Sequence, residues 1–235
     1  LPAKPLADIC GKPMIQWVYE RTAKARLVDD VIVATDDARI ETVVQSFGGR
    51  AVMTPTTLQT GTDRIAHVAH SLGIKGIIVN VQGDEPLIEP AMIDQAVEPL
   101  LSDSSLVAGT LARKITDANE LFDPGVVKVA LDKNGDALFF SRSTIPFGRD
   151  IDKTTWLDHF THYKHIGLYV YRSEFLTAYA TMPQMPLEHA ERLEQLRVLE
   201  NGYRMRCTIT TFDSIAVDTP QDLERVRMIA GKQKS

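Results

Sequence analysis

One run constrains this chain more than any other: Ile77-Ile78-Val79-Asn80-Val81 is continuously apolar apart from Asn80, then breaks at Gln82-Gly83 and delivers Asp84, Glu85 and Pro86. A short apolar run bounded by a turn signal reads as a buried strand of a parallel sheet. In open α/β sheets the carboxyl ends of such strands line the ligand crevice. Two carboxylates at such an end suit Mg²⁺ held against phosphates, because Mg²⁺ takes hard oxygen ligands and is usually bound by one or two carboxylates plus substrate phosphates.

The rest of the chain supplies the setting. Residues 13–25 predict a helix with Pro13 in its first turn, followed by a strand at Val31-Ile32-Val33-Ala34; Thr35-Asp36-Asp37 caps a helix over 37–47 that stops at Gly48-Gly49. Helices over 63–72 and 90–101 flank the strand 77–81, and Thr62 and Asp63 serve as an ordinary N-cap for the first of them. This alternation is the grammar of a parallel sheet covered by helices. Past residue 105 it changes. Strands near 106–112, 126–131 and 137–140 arrive without a long helix between them, and Asn134-Gly135 supplies a hairpin turn. From His165 to Tyr171 apolar and polar positions alternate as in a strand. One helix over 187–200, a strand over 204–211 and a last helix from Pro220 complete the chain. The expected architecture is α/β: a Rossmann-like sheet with helices on both faces, in a single domain over 1–235 with an inserted mixed or antiparallel subdomain near 113–203.

Several classes are disfavoured. The 235 residues suffice for a substantial core. The net charge of −5, with basic residues scattered, provides no electrostatic footprint for nucleic acid or an anionic membrane. Cys10 and Cys207 lack any paired spacing, so no disulfide framework is indicated and a reducing, cytoplasmic compartment fits. No apolar run approaches a membrane span. No GxGxxG follows a strand, which disfavours a nicotinamide-dependent oxidoreductase. Asp36-Asp37 is not the DxD of a glycosyltransferase. The spacing His159, His162, His165 is tempting as a zinc site but does not suit an extended strand.

Nine blocks occur together and in order: Leu1-Pro2-Ala3-Lys4-Pro5-Leu6, Gly11-Lys12-Pro13-Met14, Val33-Ala34-Thr35-Asp36, Gly61-Thr62-Asp63-Arg64, Asn80 to Pro86, Phe140-Ser141-Arg142, His165 to Tyr169, Leu193 to Arg197, and Val217-Asp218-Thr219-Pro220. Over nearly its whole length the chain resembles the 3-deoxy-manno-octulosonate (Kdo) cytidylyltransferase family. That resemblance implies a Mg²⁺-dependent nucleotidyltransferase that moves CMP from CTP to the anomeric hydroxyl of Kdo and releases pyrophosphate, in lipopolysaccharide biosynthesis, as a homodimer. Alternatives are a cytidylyltransferase for sialic acid or 8-amino-Kdo, and a catalytically silent nucleotide-binding regulator, which would be expected to lose acids such as Asp84 or Asp218.

The resemblance distributes roles. Asp84 and Asp218 are the expected metal ligands, with Thr219 as N-cap and Pro220 as first residue of the helix beyond. Lys4 meets the phosphates as a point charge. Lys12 reads as structural. Thr60 and Arg64 lie by the cytosine, and Gln82 borders the join of nucleotide and sugar. Arg142 is the candidate for the sugar carboxylate, because a guanidinium can grip a carboxylate with two parallel hydrogen bonds. His165, Tyr169, Glu194 and Gln195 are the remaining sugar candidates. His165 and Tyr169 are expected about 13 Å apart along an extended strand. Glu194 and Gln195 are expected on the helix 187–200, with a Glu194–Arg197 pair as the ordinary alternative for Glu194. The family begins with a strand and a loop, bearing a phosphate-gripping arginine, ahead of the Leu-Pro-x-Lys-Pro-Leu block. Roughly 15 further N-terminal residues are therefore expected in the natural protein.

Overall fold

The computed structural model describes residues 3–58 and 60–232. Leu1 and Pro2 of the first sequence block lie outside them. Two compact units are present, Leu1–Asp94 with Asp213–Ser235, and Gln95–Phe212.

The first unit opens with a 3₁₀ turn, Lys4–Leu6, and a hairpin of β1 (Asp8–Ile9) and β2 (Lys12–Pro13). Its two-residue turn, Cys10-Gly11, has positive φ at both positions, 53° and 84°, as a tight hairpin turn between twisted strands requires. Helix α1 (Met14–Thr22) buries Met14, Ile15, Val18 and Thr22, one stripe at helical spacing. The strand β3 (Ile32–Thr35), helix α2 (Ala38–Ser46) and strand β4 (Arg50–Met53) form the expected βαβ turn, with β3 and β4 parallel and Ile32 opposite Arg50. Asp37 caps α2 by accepting from the Arg39 amide at 2.9 Å.

Helix α3 (Gly61–Ser71) starts two residues earlier than its sequence pattern predicts. Thr60, not Thr62 or Asp63, is its N-cap, accepting from the Asp63 amide at 3.1 Å. Strand β5 (Ile77–Asn80) and helix α4 (Pro90–Ser102) follow.

In the second unit the strands are β6 (Ala108–Lys114), β7 (Lys128–Leu131), β8 (Ala137–Ser141), β9 (Tyr163–Arg172) and β10 (Met205–Ile209), in the order β10-β6-β9-β7-β8. The β10–β6 pair is parallel; β6–β9, β9–β7 and β7–β8 are antiparallel. The sheet is therefore mixed, as the change of grammar past residue 105 implies, and Gly135 turns the β7–β8 hairpin at φ 83°. Along β9 Lys164, Ile166, Leu168 and Val170 are buried while their neighbours up to Tyr169 are half-buried. Short helices α5 (Ala118–Phe122), α6 (Trp156–His159) and α7 (Ser173–Tyr179) fill the connections.

One predicted element divides. The expected helix 187–200 is two helices, α8 (Pro186–Glu191) and α9 (Leu196–Glu200), broken by Arg192 in the left-handed conformation at φ 55°. The cause is long-range. The Glu200 carboxylate turns back to accept the amides of Leu187 and Glu188, at 2.9 and 3.1 Å, at the start of α8. Arg197 meets Glu188, with Nε donating at 2.8 Å, both side chains being buried. Arg197 is thus paired with Glu188 across the break.

The chain returns to the first unit with α10 (Pro220–Lys232). Thr219 and Asp222 form a reciprocal cap: the Asp222 amide donates to Thr219 Oγ1 at 3.2 Å, and the Thr219 amide donates to the Asp222 carboxylate at 2.8 Å. Leu223, Val226 and Ala230 of α10 pack with Ile9, Met14, Leu87 and Val217 into an apolar cluster. That cluster anchors both the hairpin and the segment before Asp218.

Candidate active site

In the first unit the strand end and the start of α10 bring their acids together. The Val217 amide donates to the Asp84 carbonyl at 2.9 Å, so the segment carrying Asp218 is tied to the turn carrying Asp84. Lys4 Nζ donates to Asp84 Oδ2 at 2.6 Å and to Asp218 Oδ1 at 3.1 Å. Asp84 is largely covered, whereas Asp218 is 73% exposed. Burial pulls the Lys4 ammonium down, but hydrogen bonds and attraction from Asp84, and then from Asp218, leave it above the ordinary lysine value. Lys4 therefore stays charged.

Glu85, beside Asp84, does different work. Burial pushes its carboxyl up to about 7, against the opposing hydrogen bond that Ser214 Oγ donates at 2.6 Å, and the Asp84 charge pushes it further in the same direction. Lys12 is structural, as expected: its ammonium pairs with Glu20 at 2.7 Å and lies over the Trp17 ring.

The nucleotide candidates cluster at the start of α3. Arg64 is held by Asp36 at 2.6 Å, by Thr54 Oγ1 at 2.8 Å and by the carbonyls of Pro55 and Leu58, so its guanidinium fastens the loop ahead of α3. Asp36 as its partner escaped the sequence reading. Gln82 Nε2 donates to Asn80 Oδ1 at 3.2 Å, and Asn80 reaches Thr62 Oγ1. Gln82 and the N-terminus of α3 thus belong to one hydrogen-bonded group, with Thr60 as the helix cap.

The sugar candidates lie in the second unit. The Arg142 amide donates to Glu191 Oε2 at 2.9 Å, its Nε to the Glu191 carbonyl at 2.8 Å and its Nη1 to the Pro124 carbonyl at 3.2 Å. These bonds orient the guanidinium on carbonyls. Lys128 holds the same loop by donating to the carbonyls of Asp123 and Val126, and burial lowers its ammonium below the ordinary lysine value. Neither Glu191 nor Lys128 was legible as a support for Arg142, because Glu191 bonds it across 49 positions of sequence and Lys128 acts only through the loop carbonyls it holds.

His165 and Tyr169 are not about 13 Å apart. Their ring centroids lie 5.3 Å apart. The register on β6 passes from Thr110 opposite Tyr169 to Leu111 opposite Ile166, leaving Gly167 and Leu168 as a bulge in β9. A bulge bends its strand and re-aims side chains. Phe140 packs against the His165 ring at 5.0 Å, and loss of water around the imidazole lowers it to about 3. Tyr169 donates its hydroxyl to Gln195 Oε1 at 3.2 Å. Gln195 is buried, and among the described residues its Nε2 has no hydrogen-bond partner. The Glu194 carbonyl accepts from the Tyr179 hydroxyl at 2.9 Å, which fixes the break between α8 and α9. His165, Tyr169 and Gln195 therefore form one polar cluster, with Glu194 beside it.

The model of the cytidylyltransferase family matches residues 1–210. The chain belongs to the cytidylyltransferase family. Among relatives of this cytidylyltransferase, the 3-deoxy-manno-octulosonate cytidylyltransferase of Geobacter metallireducens is 57% identical over 230 residues, covering 96% of this chain and 90% of that protein. The protein of the same name from Geotalea uraniireducens is 58% identical over 228 residues, covering 95% and 90%. Among solved structures, that of CMP:2-keto-3-deoxy-manno-octonic acid synthetase complexed with CTP superposes with a TM-score of 0.92 at 41% identity, covering 99% of this chain and 93% of that one. The family's chemistry is nucleotidyl transfer.

For the metal that the resemblance implies, the donor set can be tested. Among the described residues no group of three or more His, Cys, Asp or Glu could hold a metal ion, and the His159, His162, His165 spacing forms no such group. Asp84 and Asp218 nonetheless converge on one cationic atom, and a pair of carboxylates is what a Mg²⁺ ion shared with phosphates requires from a protein. The residues present fit the group.

Proposed function

We propose that this cytidylyltransferase moves CMP from CTP to the anomeric hydroxyl of 3-deoxy-D-manno-octulosonate. The sugar oxygen bonds to the α-phosphorus, the bond to the β-phosphate oxygen breaks, the hydroxyl proton is released and pyrophosphate leaves. The observation that carries the reading is Lys4 bridging Asp84 and Asp218, in a chain 57% identical to a relative of that activity.

Each residue has a physical task in this reading. Lys4 supplies a permanent positive charge for the triphosphate. Asp84 and Asp218 would hold Mg²⁺, which when bound neutralises phosphate charge and helps align attacking and leaving oxygens. Thr60, Arg64 and Gln82 shape the nucleotide end, with Arg64 acting through the loop it fastens. Arg142 faces the sugar carboxylate. The buried Gln195 amide is a donor without an acceptor among the described residues, a costly arrangement unless a ligand oxygen meets it. Tyr169 and His165 add hydrogen-bonding groups for sugar hydroxyls, and Glu194 lies at the same edge.

Two further assignments belong to this proposal. The protein works in the cytoplasm, a reading supported by its two free thiols, Cys10 and Cys207. Among the described residues no helix is long and apolar enough to cross a membrane. It acts as a homodimer, for which the second unit offers exposed aromatic surface at Phe147 and Phe122, packed on Trp156.

The test is pyrophosphate release from a matrix of CTP, UTP, ATP and GTP against Kdo, 8-amino-Kdo and sialic acid. Release with CTP and Kdo is expected to exceed every other pair. Preference for another keto-acid sugar would overturn the substrate, and preference for another nucleotide the cytidylyl assignment.

A further inference from the structure

The Thr110 hydroxyl, fully buried in β6, sits among three polar atoms. His165 Nε2 is 2.9 Å away, the Leu168 carbonyl 2.8 Å and the Ile166 carbonyl 3.1 Å. The two carbonyls flank the β9 bulge, where Gly167 and Leu168 have no partner on β6.

A hydroxyl has one proton to give and two lone pairs to receive. Carbonyl oxygens only accept. If Thr110 gave its proton to His165, two carbonyl oxygens would crowd a hydroxyl oxygen at 2.8 and 3.1 Å with no hydrogen between them. That is repulsive in a buried place. The proton therefore goes to a bulge carbonyl, with Leu168 the nearer, and the Thr110 oxygen must accept from His165 Nε2–H.

We propose that Thr110 is a positioning residue that holds His165 as the Nε2–H tautomer, so that Nδ1 is presented as a hydrogen-bond acceptor to a hydroxyl of the sugar substrate. Which ring nitrogen carries the proton follows from the bond the other one makes. Among the described residues Nδ1 has no hydrogen-bond partner, and it is not one of the buried side-chain atoms lacking one. The desolvated ring also resists a second proton, which would turn Nδ1 into a donor. The bulge thus does two jobs through one side chain. It brings His165 beside Tyr169, and its carbonyls consume the proton that could otherwise have reversed the imidazole.

The inference rests on the sugar-site reading of His165, and the measurements separate the two. Ring ¹⁵N spectra of the histidine-labelled full chain, with His165 assigned by His165→Gln, report the tautomer without substrate. A protonated Nε2 with bare Nδ1 is expected, and Kdo added with CTP should move the Nδ1 resonance. Thr110→Val should mix the tautomers and raise the KM for Kdo about tenfold, the worth of one hydrogen bond to a buried group. The KM for CTP should stay unchanged, and Thr110→Ser should restore both the single tautomer and the KM. Nδ1–H in the unaltered protein overturns the proposal, as does a Thr110→Val enzyme with unchanged tautomer and unchanged KM for Kdo. An Nδ1 resonance unmoved by the sugar overturns the acceptor role. Absence of pyrophosphate release from CTP and Kdo counts instead against the proposed reaction, since the tautomer of the free protein is read without it.

Discussion

Asp84 and Asp218 each take one hydrogen bond from Lys4, yet their surroundings differ, one covered and the other mostly exposed. Asp84→Asn and Asp218→Asn keep volume and remove a hard anionic ligand. Each should lower kcat by on the order of 100-fold or more, with an unchanged circular dichroism spectrum; near-normal pyrophosphate release at saturating Mg²⁺ would remove that residue from the proposed metal site. Arg142→Lys keeps the charge but loses the planar donor set and the two carbonyl bonds that orient it. Its KM for the sugar should rise about tenfold or more with little change for CTP, and calorimetric titration of each substrate checks this. For His165 the sign runs one way. Desolvation lowers its folded value to about 3 from the ordinary 6.5, so below 6.5 the unfolded chain takes up a proton that the folded chain refuses. The stability from this group is complete above about pH 6.5 and is lost as pH falls toward 3. Melting temperatures across that window should depend less steeply on pH in His165→Gln.

At the scale of elements, Pro186 before, Asn201-Gly202 after and the apolar pair Leu193 and Leu196 between them suit one helix running through 187–200. Periodicity sees neighbours in sequence, whereas the break is made by the return of Glu200 to the first amides of α8 and by the Glu188–Arg197 pair. The β9 bulge was illegible for a related reason. Alternation in one strand was read correctly, but register exists only between strands, and the two-residue slip appears only opposite Thr110 and Leu111. Local chemistry fared better: Pro220 after Thr219, Asp37 before α2 and Asn134-Gly135 in the hairpin all fell where their stereochemistry demands. The buried pair between α8 and α9 has a measurable weight. Arg197→Met alone leaves Glu188 charged and buried and should cost about 3–5 kcal/mol. The Glu188→Leu, Arg197→Met double variant should cost markedly less, because no orphaned charge remains. Urea denaturation of the two checks the ordering.

At the scale of the molecule, what was legible came mostly from the nine ordered blocks, which named the residues but not their company. Arg64 with Asp36, Arg142 with Glu191 and His165 with Thr110 are pairings across 28, 49 and 55 positions of sequence. They arise from folding rather than from spacing. The proposed homodimer carries its own prediction: Phe147 is 70% exposed, and Phe147→Lys should shift the sedimentation coefficient toward a single chain. An unchanged coefficient in a dimeric parent would remove that aromatic patch from the interface.

The chain has two tryptophans, and the two compact units have one each. Trp17 rests against Ile9, donating to its carbonyl at 2.9 Å, and Trp156 is 2% exposed beside His162 and Phe147. Nature has thereby placed a separate lamp in each half. Replacing one tryptophan by phenylalanine leaves an enzyme whose fluorescence comes from a single known address, so melting, or the arrival of nucleotide and sugar, can be watched in one half at a time without attaching a dye.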